Sequence, residues 1–466
     1  MSIVAGLFIL WLAPFTNQIL IKTRGIVGKV IITLLLIFLG TALCFLWQGS
    51  NVIRNISGPG FTTNQIVVAV RDSDPAQTLH DVIDSAFGVQ FTINAGTTHD
   101  AIVYINEYLD KQITTLEFDS LFEQFTALQS QEVDVIIYHS SLYEIMADAI
   151  PGIGAGARIL YSFDIVQMFD IAQMIEIVHT TGADHILGID AISDEPPAEE
   201  VFAVLITGID TKGAVSNVGR SDTNILLVVN PNTLQVLMIN TPRDFLVPFP
   251  SITGNRRDKL AHAGIYGPAA SVEAISLLYG INISYYLRTN MTSFVNIIDA
   301  LGGVELYSPY AFTTVHGGTQ VRRGQNNFSG NEALNFVRER SNVPGGDETR
   351  GDNAMILISA IMSRAMSPAF ITGAPALLSS LGNDFDTNMP ADKIQDLIRF
   401  QLSGASWEVI TMSATGRFDR QVTFSIPGLS VFVIEPSPDS IAEIRGQIAI
   451  IQQNLPLNHN TAMQGS

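Results

Sequence analysis

The stretch GRSDTNILLVVNPNTLQVLMINTPRD, residues 219–244, decides the fold. Two apolar runs, 224–229 and 235–240, flank Asn230-Pro231-Asn232-Thr233-Leu234, whose residues favour a turn. The pattern predicts a β-hairpin. Just upstream, 201–209 (VFAVLITGI) is a near-continuous apolar run, as in a strand covered on both faces. Downstream, helical spacing falls at 271–279, 291–300, 331–338, 353–366, 391–403 and 439–453, with strands at 304–307 and 407–412. This describes an α/β domain over 201–455, with a mixed central sheet flanked by helices and a tail at 456–466.

The chain has 466 residues, which implies two or three domains. Its net charge of −19 opposes nucleic-acid binding, because phosphate backbones select basic surfaces. The acidity sits in residues 64–200, which carry 23 acidic and three basic residues, and that step in composition marks a boundary near 200. Within it, strands at 65–70 and 133–138 with helical spacing at 76–87 and 98–109 predict a small acidic α/β accessory domain over 64–160. Residues 161–200 read as a mostly helical linker ending in the hinge DEPPAEE, and 51–63 as a Gly/Ser/Asn-rich linker.

Residues 1–50 read as a membrane anchor. The run 26–47, IVGKVIITLLLIFLGTALCFLW, is long enough to span a bilayer, and 3–21 is a weaker candidate helix. Lys22, Arg24 and Lys29 between them place that turn in the cytoplasm and everything after about residue 50 outside the cell. A signal peptide is the alternative, but its apolar core is shorter and ends at a small-residue cleavage site. An N-terminus that starts outside suggests either a two-helix hairpin or an earlier helix missing from a shortened start. The single cysteine, Cys44, lies in the apolar run, so no intramolecular disulfide is available.

Chemistry-bearing residues gather at predicted strand ends. Asp210 closes the first strand, Arg220 and Asp222 open the second, and Arg243 and Asp244 follow the third. If the second and third strands form the hairpin and the first runs parallel to the third, these side chains share one sheet end. Carboxylates suit Mg²⁺ and arginine forks match phosphate oxygens, so the set describes a metal-assisted diphosphate site. The alternative is that the same residues merely terminate strands. Arg338, Arg340 and Arg350 form a second basic cluster, and Lys259 lies on a polar loop. For Arg338 and Arg340 to face one ligand, the helix must end between them. The alternative there is a solvated basic helix end. No Gly-x-Ser-x-Gly, Walker loop, His-Glu-x-x-His or Cys/His cluster is present.

Taken together, LITGIDT (205–211), GRSDTNILLVVNP (219–231), INTPRD (239–244), DKLAHAGIYG (258–267), SFVNIIDALGGVEL (293–306) and EALNFVRER (332–340) resemble the LytR-CpsA-Psr family of cell-envelope proteins. The layout looks most like its capsule-associated streptococcal branch. The resemblance implies a membrane-bound extracytoplasmic phosphotransferase of Gram-positive type. Such an enzyme moves a glycopolymer, capsular or teichoic-acid-like, from undecaprenyl diphosphate to peptidoglycan through a phosphodiester. The lipid tail would occupy an apolar tunnel between sheet and helices. The resemblance makes Asp210 and Asp222 the Mg²⁺ ligands, and Arg220, Arg243, Arg338, Arg340 and Arg350 the diphosphate-binding set, with Lys259 a further cation. Asp244 would orient Arg243, and Asp222, Arg243 and Asp244 would be catalytic. Implied partners are the lipid-linked glycopolymer, peptidoglycan, membrane lipid and other capsule-assembly proteins.

The sequence departs from the family at Gly351-Asp352-Asn353-Ala354, where relatives usually carry an Arg-Gln-Gln-like segment. Ala354 lies one turn from Arg350 and cannot donate to a phosphate as a Gln would. That leaves a second reading, a non-catalytic regulator of capsule assembly or chain length that binds the lipid-linked polymer.

Overall fold

A computed structural model describes residues 60–169, 201–365, 385–402 and 404–457. The anchor read at 1–50, with its helices at 3–21 and 26–47, lies outside the described residues, as does the hinge. Among the described residues no helix is long and apolar enough to cross a membrane.

The N-terminal part is built from β1 (Gly60–Arg71), β2 (Ala86–Val89), α1 (Ala95–Leu109), β3 (Thr114–Glu117), α2 (Leu121–Gln129), β4 (Val135–His139), α3 (Ser140–Ala149) and β5 (Ala157–Phe169). Its strands form one mixed sheet in the order β3-β2-β4-β1-β5. Alternate residues of β1 face opposite ways. Ile66, Val68 and Val70 pack with Ala101, Ile105 and Leu109 of α1, whereas Val67 and Ala69 pack with α2 and α3.

The structure departs from four local expectations. The helix expected at 76–87 is a 3-10 turn at Leu79–Val82 followed by β2. Gly88 lets β2 lie close to β4, since a Cβ there would sit 3.1 Å from Ile136 Cγ2. The helical reading of 161–200 fails for 161–169, which lie in β5. There Tyr161, Phe163 and Ile165 alternate with exposed Ser162, Asp164 and Val166, a period of two. The linker read at 51–63 gives way at Gly60, where β1 begins pairing with Phe169. The tail read at 456–466 is still docked at Leu457, which is buried and donates its N–H to Gln235 Oε1 at 2.8 Å.

The second part begins with β6 (Phe202–Ile209), β7 (Ser221–Asn230) and β8 (Gln235–Asn240), followed by α4 (Pro268–Tyr279), β9 (Tyr285–Asn290) and α5 (Met291–Ala300). Then come β10 (Val304–Ser308), β11 (Gly324–Phe328), α6 (Gly330–Arg338), α7 (Asp347–Ala365), β12 (Asp386–Thr387) and α8 (Ala391–Leu402). The chain closes with β13 (Glu408–Ser413), the hairpin β14 (Gly416–Val422) and β15 (Ser430–Pro436), and α9 (Pro438–Gln452).

Its six-stranded sheet runs β12-β9-β6-β7-β8-β13. The predicted hairpin is β7–β8, antiparallel from Ile225 opposite Asn240 to Asn230 opposite Gln235. Asn230 Oδ1 caps the turn, accepting the N–H groups of Asn232 and Thr233 at 2.9 and 3.2 Å. β6 is antiparallel to β7 and therefore parallel to β8. β9 and β13 add parallel strands at either side, so the sheet is mixed, as expected. On one face Leu205, Leu226, Val228 and Leu237 pack against α4 and α9; on the other Val204, Leu227, Val229 and Met238 pack against Ala354 and Met355 of α7. Each such buried aliphatic side chain contributes roughly 1.5–3 kcal/mol.

The two parts share a core. Tyr138, Leu142 and Met146 belong to the same buried cluster as Leu246, Ile265, Phe424 and Val433. The backbone adds a bridge, with Thr63 N donating to Ser216 O at 2.7 Å and Val218 N donating to Thr63 O at 3.1 Å.

Candidate functional site

The sheet end that carries the C-terminus of β6, the start of β7 and the C-terminus of β8 holds the strand-end residues. Asp210 and Arg220 face each other across the loop joining β6 to β7. The Asp210 carboxylate accepts the Arg220 backbone N–H at 2.9 Å through Oδ1, and Nε and Nη2 of the same arginine at 2.7 and 2.6 Å through Oδ2. Gly219 permits this closeness, since a Cβ there would lie 2.4 Å from Thr211 Cγ2 and 3.0 Å from Asp210 Oδ1. Burial first, then the charge of Asp222, pushes the Asp210 carboxyl above the usual aspartate value, despite Arg220.

Past β8 the chain turns at Thr241-Pro242-Arg243-Asp244. The turn is clamped by backbone bonds from Ala261 N to Arg243 O at 2.8 Å and from Ile434 N to Asp244 O at 2.8 Å. Arg243 reaches back to Asp222 with Nη1 at 2.5 Å from Oδ1, and its Nε lies 3.6 Å from Asp244 Oδ2. Lys259 Nζ donates to Asp244 Oδ1 at 2.9 Å. Burial alone would raise the Asp244 carboxyl, but Lys259 and Arg243 outweigh it and hold it below the ordinary range. Arg350, in the first turn of α7, donates from Nη2 to the Asp222 carbonyl at 3.1 Å and places Nη1 3.8 Å from Asp222 Oδ2. The helix expected at 353–366 thus starts earlier, at Asp347, and so carries Arg350 to the site.

The structure therefore joins Arg243, Asp222, Asp244, Lys259 and Arg350 in one bonded network, with the Asp210–Arg220 pair close enough for Asp210 and Asp222 to repel. Arg338 is the last residue of α6, the helix ends at Glu339 with extended backbone, and Arg340 follows on the exposed turn. The required helix end between the two arginines is present. Among the described residues no hydrogen bond or ion pair ties Arg338 to the network.

Three features were not read from the sequence. Glu339 is buried and accepts four backbone N–H groups, from Val315, Arg340, Ser341 and Asn342, at 2.6–3.0 Å. It fixes the turn that carries Arg340. His262 and Asp258 are buried and bonded at 2.8 Å, and Ser425 donates its N–H to Asp258 Oδ2 at 3.0 Å. Ser425 Oγ lies 2.6 Å from the same His262 Nδ1 that faces Asp258. One ring nitrogen facing both partners is no nucleophile relay; the cluster pins the Lys259 loop instead. Finally, Arg220 Nη1 is ion-paired with Asp148 of α3, a residue of the N-terminal part.

Ala354 is buried in the apolar cluster between α7 and the sheet. A Gln at this position would enter that cluster.

Among the described residues no group of three or more His, Cys, Asp or Glu is arranged to hold a metal. Two carboxylates nonetheless suit Mg²⁺, which keeps several waters and takes further oxygens from a phosphate substrate. Asp210 and Asp222 are close enough for their charges to repel and could offer such a pair, and the Thr211 hydroxyl next to Asp210 is buried with no hydrogen-bond partner among the described residues.

The pattern defining the LytR_cpsA_psr family matches residues 179–437. A polyisoprenyl-teichoic acid–peptidoglycan teichoic acid transferase TagU of Oceanobacillus iheyensis is 34% identical over 257 residues, covering 54% of this chain and 76% of the relative. The like-named protein of Halalkalibacterium halodurans is 29% identical over 253 residues, covering 54% and 79%. The crystal structure of Bacillus subtilis TagV aligns with a TM-score of 0.47 at 22% identity, over 56% of this chain and all of that one. With its family pattern spanning more than half its length, the chain belongs to the LytR-CpsA-Psr family.

Proposed function

We propose that the chain is an extracytoplasmic, membrane-anchored, Mg²⁺-dependent phosphotransferase. It joins a glycopolymer carried on undecaprenyl diphosphate to peptidoglycan. The relatives' names support transfer of a teichoic acid to peptidoglycan. In our reading the polymer is teichoic-acid-like or capsular, with other capsule-assembly proteins as further partners in the capsular case.

The observation that carries the proposal is charge balance. Arg220, Arg243, Lys259 and Arg350 are interleaved with Asp148, Asp210, Asp222 and Asp244 in direct ion pairs, four against four. A diphosphate arriving with a divalent cation adds almost no net charge to such a cluster. Its phosphate oxygens can exchange for carboxylate oxygens at each guanidinium.

In this proposal Asp210 and Asp222 hold the metal, which when bound neutralises charge on the diphosphate oxygens. Arg220, Arg243 and Arg350 orient the diphosphate, with Lys259, Arg338 and Arg340 at its margin. Asp244 holds Arg243 in place. Asp222 takes the proton of the incoming sugar hydroxyl. The hydroxyl oxygen bonds to the polymer-side phosphorus, and the bond from that phosphorus to the bridging oxygen breaks. Polyprenyl monophosphate leaves, and the polymer stays on peptidoglycan through a phosphodiester.

The test uses the full chain in detergent with a short oligosaccharide on polyprenyl diphosphate, peptidoglycan fragments and Mg²⁺. Mass spectrometry should find the linked product, lost in Arg243→Ala and on chelation. Linked product that persists in both controls would overturn the assignment of the site.

A further inference from the structure

The acidic N-terminal part contributes to the site through α3. Leu142, Ile145 and Met146 of this helix are buried in the core that the two parts share. Glu144 and Asp148, one turn apart on the same helix face, are turned instead toward Asp210 and Arg220. Asp148 is ion-paired with Arg220 Nη1, and the side chains of Asp148 and Arg220 are 66% and 22% exposed. The charges of Asp210 and Arg220 both act on Glu144.

Arg220 has two edges that can grip an oxyanion pair. Its Nε–Nη2 edge is filled by Asp210 Oδ2. A phosphate seeking two parallel N–H bonds is left with the outer edge that carries Nη1, and the Asp148 carboxylate already bonds there.

We propose that Asp148 is an anionic latch of the diphosphate site, a carboxylate from the N-terminal part that holds the outer edge of Arg220 and must be displaced by the incoming phosphate. The inference rests on the diphosphate reading of the site. It also gives the acidic domain a role at the site. An anion at this edge raises the threshold that any phosphate ligand must meet to engage Arg220. Because α3 is locked into the shared core, the latch depends on the two parts staying docked. The pair is largely solvent-exposed on the Asp148 side, so its worth is that of an exposed ion pair, a factor of up to about five in an equilibrium constant.

The experiment titrates geranylgeranyl diphosphate with Mg²⁺ into the full chain in detergent, by calorimetry. Four proteins are compared: the wild type, Asp148→Asn, Glu107→Gln and Arg243→Ala. Glu107 is exposed on α1, across the N-terminal sheet from α3, and reports any general effect of removing one negative charge. Asp148→Asn should lower Kd about three- to fivefold, whereas Glu107→Gln leaves Kd unchanged. A merely structural role for Asp148 would loosen Arg220 and weaken binding, the opposite sign. Unchanged or weaker binding in Asp148→Asn, or an equal tightening in Glu107→Gln, overturns the latch while leaving the site reading intact, provided Arg243→Ala still weakens binding. If Arg243→Ala binds as well as the wild type, the diphosphate reading falls and the latch with it.

Discussion

Gly264 offers the sharpest mechanical test of how the site is held. It sits where the short helix Leu260–Ala263 ends, with φ −60° and ψ −26°, a conformation alanine adopts without strain. Propensity alone would make Gly264→Ala stabilising by up to about 1 kcal/mol. Packing predicts the reverse. A Cβ at 264 would lie 2.4 Å from Gly219 O, 2.6 Å from Ser221 N and 3.1 Å from the Arg220 carbonyl carbon. These are backbone atoms of the strand entry that carries Arg220, and ordinary contact begins near 3.4 Å. One side must retreat by roughly 1 Å. Overpacking of this kind costs about 1–3 kcal/mol, equivalent to roughly 2–12 °C of melting temperature for a domain of this size. A displacement of about 1 Å at a positioning residue costs on the order of a hundredfold in rate. The assay is a thermal melt of the full chain beside its transfer rate at a temperature where the variant is still folded. Gly264→Ala should lose rate far beyond its unfolded fraction. A variant that melts and turns over like the wild type would refute the close-approach argument.

Arg288 is almost fully buried and its Nη2 lies 3.1 Å from Asp386 Oδ2, so Asp386→Ala should cost about 3–5 kcal/mol in urea unfolding by leaving a buried cation without that carboxylate. Asp244 has a depressed folded pKa, so its stabilisation is present above the unfolded aspartate value of about 3.9 and is lost as pH falls through the folded pKa. Asp244→Asn should therefore be less stable at neutral pH and show a flatter loss of stability on acidification, which a pH series of denaturant midpoints would reveal. Ala354→Gln places an amide in the apolar cluster under α7 and should destabilise by about 1–3 kcal/mol; an unchanged unfolding midpoint would show that the side chain finds a polar outlet.

The hairpin was legible because its two signals are local, two short apolar runs and a turn rich in Asn and Pro between them. From it followed the shared sheet end, since β6 antiparallel to β7 makes β6 parallel to β8. Asp210, Arg220, Asp222, Arg243 and Asp244 could then be placed together on topology alone. The misses have the opposite character. β9 was not read because SYYLRTN carries a charged residue, and its ion-pair partner Asp386 lies about 100 positions away. The segment 161–169 shows a period of two, and its pairing with β1 fixes it as a strand. The contact of Asp148 with Arg220 spans 72 positions and exists because α3 is docked by apolar side chains. Likewise Ser425 meets Asp258 only because the β14–β15 hairpin packs beside the Lys259 loop. Local pattern carries no information about such docking.

The most direct measurement is the identity of the lipid released on transfer. The full chain would be given an oligosaccharide on polyprenyl diphosphate, labelled with ¹⁸O at the bridging oxygen, together with peptidoglycan fragments and Mg²⁺. Mass spectrometry would then read the lipid product. Attack at the polymer-side phosphorus predicts polyprenyl monophosphate that retains the label, in step with phosphodiester-linked product. Release of intact polyprenyl diphosphate would mean that the sugar–oxygen bond breaks, contradicting phosphotransfer.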